Sequence, residues 1–288
     1  MAKQVAIVGA GRVGKTLARL LRRQGWRIGA VVTRSPRTAR AAVRVIGAGR
    51  PMPGIASEVL QADVVLISTP DREVAAAARS LAKLDRSGWR GKIVLHTSGA
   101  LGHEALAPLA RCGAATGSMH PMQTFSGRDA PRLEGVLFAI EGDPRARRLA
   151  ARLARALGGA PFALDARHKP GYHAAGAFVA GHVLAITEAA TRILLALGFS
   201  RPRAVRALLP LVRQTLDNFE QLGPRAAWTG PLSRGDYPTV TEHVWTLHRR
   251  FPREYAQAYV ALTRLGARLL RPRPAPLLRR LRRILGQP

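Results

Sequence analysis

Cysteine is almost missing from this chain. Cys112 stands alone among 288 residues, so an intramolecular disulfide and a cysteine-built metal site are both excluded. Aromatic side chains make up 5% of the sequence, too few to interleave with basic residues along a nucleic-acid-binding stripe. Uninterrupted apolar runs are short. The longest apolar stretch, Ala174 to Leu197, is broken by His182, Glu188 and Arg192, whereas a membrane span needs about 18 residues or more with few charges. A long buried helix is therefore expected there. The first apolar run leads straight into a glycine turn, which is not the plan of a signal peptide. A cytoplasmic protein without a metal site is the expectation.

Acid is scarce as well. The chain carries 46 Lys and Arg against 17 Asp and Glu, a formal net charge of +29, and no acid occurs before Glu58. The excess is almost all arginine, 41 of the 46, with only five lysines. Residues 1–165 hold 26 basic and 11 acidic side chains, and residues 166–288 hold 20 and 6. Charge spread so evenly gives salt-sensitive adhesion to polyanions, not a specific nucleic-acid site.

What is present at the N-terminus gives the missing acid its meaning. Gln4 to Val8 is a short apolar strand, Gly9-Ala10-Gly11-Arg12-Val13-Gly14 follows at once, and Lys15 to Gln24 has helical character. Strand, glycine turn and helix start are the parts of a dinucleotide-binding unit. Its glycines admit the pyrophosphate to the backbone, and the helix N-terminus faces it. Gly9, Gly11, Arg12, Val13 and Gly14 are the candidates for that role. An NAD site of this kind places a carboxylate about 20 residues further on to hold the ribose 2′-hydroxyl. Here that place holds Thr33-Arg34-Ser35, a guanidinium between two hydroxyls, which suits a 2′-phosphate. NADP(H) is the expected cofactor.

Apolar strands alternate with helices up to about residue 165. Ile28–Val32, Asp63–Ser68, Lys92–His96, Ala114–Met119, Val136–Ile140 and Phe162–Leu164 read as strands, and Gly47–Gly54 as a loop. Helices are predicted over 37–45, 71–84, 103–111 and 144–157. The alternation predicts an α/β fold, a Rossmann-type doubly wound and mostly parallel sheet over residues 1–165. Only helical stretches follow, over 170–197, 201–222, 239–250 and 253–270, so residues 166–288 form an all-helical C-terminal domain. In the tail, Leu277, Leu278, Leu281, Ile284 and Leu285 share one helical face, with Arg279, Arg280, Arg282 and Arg283 opposite. A helix docked on the dimer, or a frayed end, is favoured over a surface helix for an acidic membrane or partner.

In open α/β sheets, ligands bind beyond the carboxyl ends of the strands. Thr69 and Pro70 end one strand and Ser98 ends the next, which adds these three to the cofactor set. His120, in the run Met119 to Phe125, ends another strand, either in the active cleft or as a structural histidine. At the domain junction stands His168-Lys169-Pro170-Gly171-Tyr172-His173. Pro170 suits the first turn of a helix, placing Lys169 at the helix start and His173 one turn in. The positive helix end and burial both disfavour an ammonium, which brings a lysine toward the range of a usable proton donor. Lys169 and His173 are the catalytic candidates. The turn-rich run Gly230 to Asp236 offers Ser233, Arg234 and Asp236 as pocket residues, or is a plain interhelical loop.

Taken together, the glycine turn with Thr33-Arg34-Ser35, the His-Lys junction and the all-helical second half resemble the 6-phosphogluconate dehydrogenase-like superfamily. That group includes β-hydroxyacid dehydrogenases, pyrroline-5-carboxylate reductases and deazaflavin-dependent NADP reductases. More closely, His120 to Phe125, Lys169 through Tyr172-His173-Ala174-Ala175 and Gly230-Pro231 through Arg234-Gly235-Asp236 resemble a bacterial family of Rossmann-like NADP oxidoreductases with a helical C-terminal domain of unknown function. The resemblance implies dimerisation through the helical domain and an active site in the cleft between domains. Lys169 and His173 match a lysine-to-asparagine spacing of β-hydroxyacid dehydrogenases, but with histidine in the asparagine position, which argues against a 3-hydroxyacid substrate. The expected function is hydride transfer to or from a small carbonyl or imine substrate, in a homodimer, with Lys169 supplying the proton. The alternative is a non-catalytic NADP-binding sensor or scaffold. Substrate, direction and the involvement of a deazaflavin stay open.

Overall fold

The computed structural model describes residues 3–127 and 130–285. It divides into two compact units, Met1–His182 and Val183–Pro288.

The first unit is built on an eight-stranded sheet of order β3-β2-β1-β4-β5-β6-β7-β8. Its members are β1 (Gln4–Val8), β2 (Arg27–Val32), β3 (Arg50–Met52), β4 (Val64–Ile67), β5 (Ile93–His96), β6 (Ala115–Pro121), β7 (Leu137–Gly142) and β8 (Ala160–Ala163). Neighbours run parallel except β6 and β7. Side chains alternate across a strand, so the unbroken apolar runs feed two cores at once. Val5, Ile7, Leu66 and Leu95 join one cluster with Leu17, Leu21, Ile46 and Leu153 of the helices α1 (Arg12–Arg23), α2 (Pro36–Ile46) and α5 (Pro144–Ala156). Ala6, Val8, Val65 and Ile67 join the other, with Val74, Ala78 and Leu81 of α3 (Asp71–Ala82) and Leu109 of α4 (Ala107–Ala110). Strands buried on both faces are the mark of a parallel sheet covered on both sides. The doubly wound α/β architecture is thus observed.

Two expectations are corrected. The run Gly47 to Gly54 is not all loop, because it carries β3, paired in parallel with β2. Its Pro51 lacks an N–H, which an edge strand tolerates, and that residue is why the strand was illegible. The second correction concerns the long apolar helix. It runs as α6 (Lys169–Ala177), a π turn over Phe178–His182 and α7 (Val183–Ala196). The stretch Ala166–Ala196 is long and apolar enough to cross a membrane by length and composition, yet 6% of its apolar window is buried. Phe178, Val179, Leu184 and Ile186 are exposed.

The second unit continues with α8 (Arg201–Ala226), kinked at Gly223, then α9 (Pro231–Arg234), α10 (Tyr237–Arg250), α11 (Arg253–Leu270) and α12 (Pro274–Leu285). Leu277 and Leu281 of α12 are buried in a cluster with Leu232, Val240 and Ala267, with Leu278, Ile284 and Leu285 packed against it. The apolar face of the tail therefore lies against its own unit. The run Gly230 to Asp236 holds itself together: Ser233 Oγ donates to Gly230 O, and the Asp236 carboxylate caps α10 through Thr239. The change of composition near residue 165 coincides with the end of the sheet at Ala163. The compact unit runs further, to His182, because the start of α6 is anchored in the sheet.

Candidate functional site

The carboxyl ends of β1, β2 and β4 open into a cavity of about 840 Å³. Gly9 and Gly11 form one wall, Thr33, Arg34 and Ser35 another, and Thr69 and Pro70 a third. Gly9 has φ +90°, and a Cβ there would stand 2.7 Å from Thr69 N. A Cβ on Gly14 would strike Gly9 O and come within 2.9 Å of Ser68 Cβ. These two glycines let α1 and β4 close on the turn. Gly11 differs, since a Cβ there would meet nothing within 4 Å, which leaves its backbone open to the cavity. Arg12, Val13 and Gly14 form the first turn of α1.

At the far wall, Ser35 caps α2 by accepting from Thr38 N. Thr38 Oγ1 lies 2.7 Å from Thr33 Oγ1 and 2.9 Å from Ser35 Oγ. Three hydroxyls and the helix N-terminus therefore converge beside Arg34, whose guanidinium is exposed and enters no ion pair among the described residues. Thr38 was not foreseen; its position three residues after the cap was the available signal. One further observation speaks for a polar ligand. Thr69 Oγ1 is buried without a hydrogen-bond partner among the described residues, and such groups cost free energy unless satisfied. The residues present fit a dinucleotide.

A second cluster lies along the next strand ends. Lys169 is 1% exposed. Its ammonium donates to Ser98 O at 3.1 Å and to Ser118 Oγ at 2.7 Å. Burial lowers its pKa to about 8, against the opposing pull of the Glu141, Asp71 and Glu104 carboxylates. An ammonium has three donors, and two of them have partners among the described residues. Ser98 does not line the dinucleotide cavity. Its hydroxyl accepts from Ala100 N and Leu101 N, and its carbonyl, not its side chain, serves the site. The cavity and the lysine are linked through the end of β5, because Ser68 of the cavity wall meets Thr97 at 3.1 Å and the next residue, Ser98, accepts from Lys169.

His173 does not bond Lys169. It is exposed and stands edge-on to His120, with ring centroids 5.8 Å apart. His120 Nδ1 meets the Tyr172 hydroxyl at 3.1 Å. Burial first, then the charges of His173 and Lys169, lower the His120 pKa to about 4, and burial raises that of Tyr172 to about 12. Both are neutral near pH 7, so Lys169 is the cationic acid of this group. His96 is fully buried and plays another part. Ser98 N donates to its Nδ1, which leaves Nε2–H to donate to Gly102 O. With its pKa lowered to about 4, chiefly by burial, it is a fixed neutral tautomer that shapes the Ser98 turn.

Sequence reasoning missed Ser118 and Glu141. They are direct cross-strand partners in the antiparallel β6–β7 pair, and Ser118 is also in register with His96 of β5. No local spacing announces such a row. Glu141 accepts from Ser118 Oγ, from His103 N and from the His103 ring. The side chains of His103, Glu104 and Glu141 bring ligand-type atoms within 4.8 Å of one another, which the His103–Glu141 and His103–Glu104 ion pairs already explain.

Comparison with known proteins agrees with the fold. A Rossmann-like domain matches residues 2–121, and a domain of unknown function, DUF2520, matches residues 136–265. No curated protein matches the chain. Among solved structures it is similar to a proposed NADP oxidoreductase of Bacteroides fragilis, at 21% identity and TM-score 0.75, covering 92% of this chain and 98% of that one. It is similar to a Thermotoga maritima protein at 23% identity and TM-score 0.68, covering 96% and 97%. A reductive aminase of Aspergillus terreus, in complex with NADPH and ethyl-5-oxohexanoate, is similar at 17% identity and TM-score 0.64, covering 98% and 93%. These likenesses are likenesses of fold. The chain thus carries a stretch matched by a Rossmann-like domain, followed by one matched by DUF2520.

Proposed function

We propose that this protein is an NADP(H)-dependent oxidoreductase acting on a small carbonyl or imine substrate. The observation that carries the reading is Lys169: a buried ammonium donating to Ser98 O and Ser118 Oγ, linked through the Ser68–Thr97 contact to the wall of a cavity that fits a dinucleotide. The glycine turn would hold the pyrophosphate, and Arg34 with Thr33, Ser35 and Thr38 the 2′-phosphate. The nicotinamide, when bound, supplies or accepts the hydride. The chain's own part is the proton. In the reducing direction the Lys169 ammonium gives it to the carbonyl oxygen or imine nitrogen, while His173 and Tyr172 orient the substrate from the same helix. Similarity of fold to a reductive aminase and to imine reductases supports this class of substrate.

Purified protein mixed with NADPH and a panel of small ketones and cyclic imines is expected to oxidise the cofactor with at least one of them. Tight NADPH binding with no oxidation across the panel would instead favour a sensor or scaffold.

The exposed apolar helices support self-association. Leu211, Leu216, Phe219 and Leu222 of α8 are all more than half exposed and fall within roughly 140° of arc at 100° per residue. Monomers rarely leave so much contiguous apolar surface uncovered. The proposed occupant is a second copy of the chain. Sedimentation is expected to give a dimer that Leu216→Glu with Phe219→Glu converts to monomer. A monomeric wild type that pellets with lipid vesicles would overturn this.

A further inference from the structure

The proton donor sits at one end of a hydrogen-bonded row that the proposed chemistry does not yet use. From Lys169 Nζ the row passes to Ser118 Oγ at 2.7 Å, then to Glu141 Oε2 at 3.2 Å, and from Glu141 Oε1 to the His103 ring. Lys169 and Glu141 are both buried, at 1% and 7% exposure, whereas His103 is partly open to solvent. A carboxylate withdrawn from water in this way needs partners with charge or donors. Two of them, Ser118 and His103, are fixed by strand pairing and by the short segment after β5.

We propose that Glu141 is the positioning residue for Lys169: acting through Ser118, it keeps the ammonium charged and aimed, and His103 shares the same carboxylate from the solvent side. This deepens the assignment of Lys169 as proton donor and rests on it. Burial works against a charged lysine, and without a counter-charge a fully buried one can lose three units or more of proton affinity. Several groups face Lys169. Asp71 comes from the start of α3, Glu104 from the segment after β5, His96 from β5, His120 from β6 and His173 from its own helix. Of the three carboxylates, Glu141 exerts the largest pull, and it alone is joined to Lys169 through a bridging hydroxyl. The bridge also fixes direction. Ser118 donates its single proton to Glu141 and so must accept from Lys169, which leaves the other ammonium donors for Ser98 O and for a substrate.

The test needs no substrate. Only five lysines occur in the chain, so isotope-labelled lysine gives few enough side-chain NMR signals to follow each through a pH titration of the ligand-free protein. Lys169 is expected to titrate near pH 8 in the wild type and about one to two units lower in Glu141→Gln, the shift due to losing one charge at this range. Asp71→Asn is expected to move it less. Should Glu141→Gln fail to fold, His103→Ala serves: with its other partner removed, Glu141 acts on Lys169 undivided, and the titration is expected to rise. A Lys169 titration unmoved in both Glu141→Gln and His103→Ala, or moved more by Asp71→Asn than by Glu141→Gln, overturns the proposal. Loss of the catalytic reading is a separate result, since it would show as full turnover without Lys169 while these titrations stayed as measured.

Discussion

Replacing Lys169 by Met is expected to lower kcat for carbonyl or imine reduction by about a hundredfold to ten-thousandfold, the usual worth of a positioned general acid. Methionine keeps most of the buried stem without the charge, so the fold should survive: Ser118 retains its bond to Glu141, and Ser98 its turn. NADPH affinity should change little, because Lys169 does not line the dinucleotide cavity. A loss in kcat without a matching loss in cofactor binding is the signature of a group that acts in the transition state. Arginine should not restore the rate, since its planar fork cannot release a proton at neutral pH. The wild-type pH profile carries a second check. A donor must be protonated, and the Lys169 pKa is lowered to about 8. The reduction rate should therefore hold below that pH and fall as pH rises through it, by about tenfold per unit. The oxidation direction, which needs the free amine, should show the opposite slope. Full turnover by Lys169→Met on a substrate that the wild type reduces would remove the assignment.

The sequence made the glycine-turn half of the candidate site legible because its determinants are local. A strand, three glycines and a helix start lie within a dozen residues, and the absent carboxylate was visible as a gap before Glu58. Arg34 follows from counting. The proton-donor half is different. Lys169 could be picked out by its place before Pro170, but its partners come from β5, β6 and β7, and only the order of strands joins them. Ser98 was chosen for its hydroxyl, and the structure spends that hydroxyl on a turn while using the carbonyl. Periodicity misled once. An apolar helix with a few charges reads as core, yet the π turn and α7 expose Phe178, Val179 and Leu184. Hydropathy reports that a face must be covered and says nothing of what covers it.

Arg34 carries the sharpest expectation about the cofactor. An exposed guanidinium normally contributes little to binding, because water competes for it. Here its neighbours change the balance. The Thr38 hydroxyl lies within 3 Å of those of Thr33 and Ser35 at the start of α2, with Ser35 already capping that helix. A phosphate placed there would meet oriented donors and the positive helix end together with the charge. In Arg34→Ala the NADPH dissociation constant is expected to rise by about tenfold to a hundredfold, the range for losing a charge-assisted contact. NADH, which has no 2′-phosphate, should bind the variant as it binds the wild type. The preference should then collapse by the weakening of one ligand and not by the strengthening of the other. Stability should be unchanged, since Arg34 is exposed and forms no ion pair among the described residues. Introducing a carboxylate, Arg34→Asp, goes further: it repels the 2′-phosphate and offers the ribose hydroxyl the acceptor that the first 57 residues lack. That variant should favour NADH outright. Isothermal titration of both cofactors into the three proteins decides the matter, and equal NADPH affinities for wild type and Arg34→Ala would place the 2′-phosphate elsewhere.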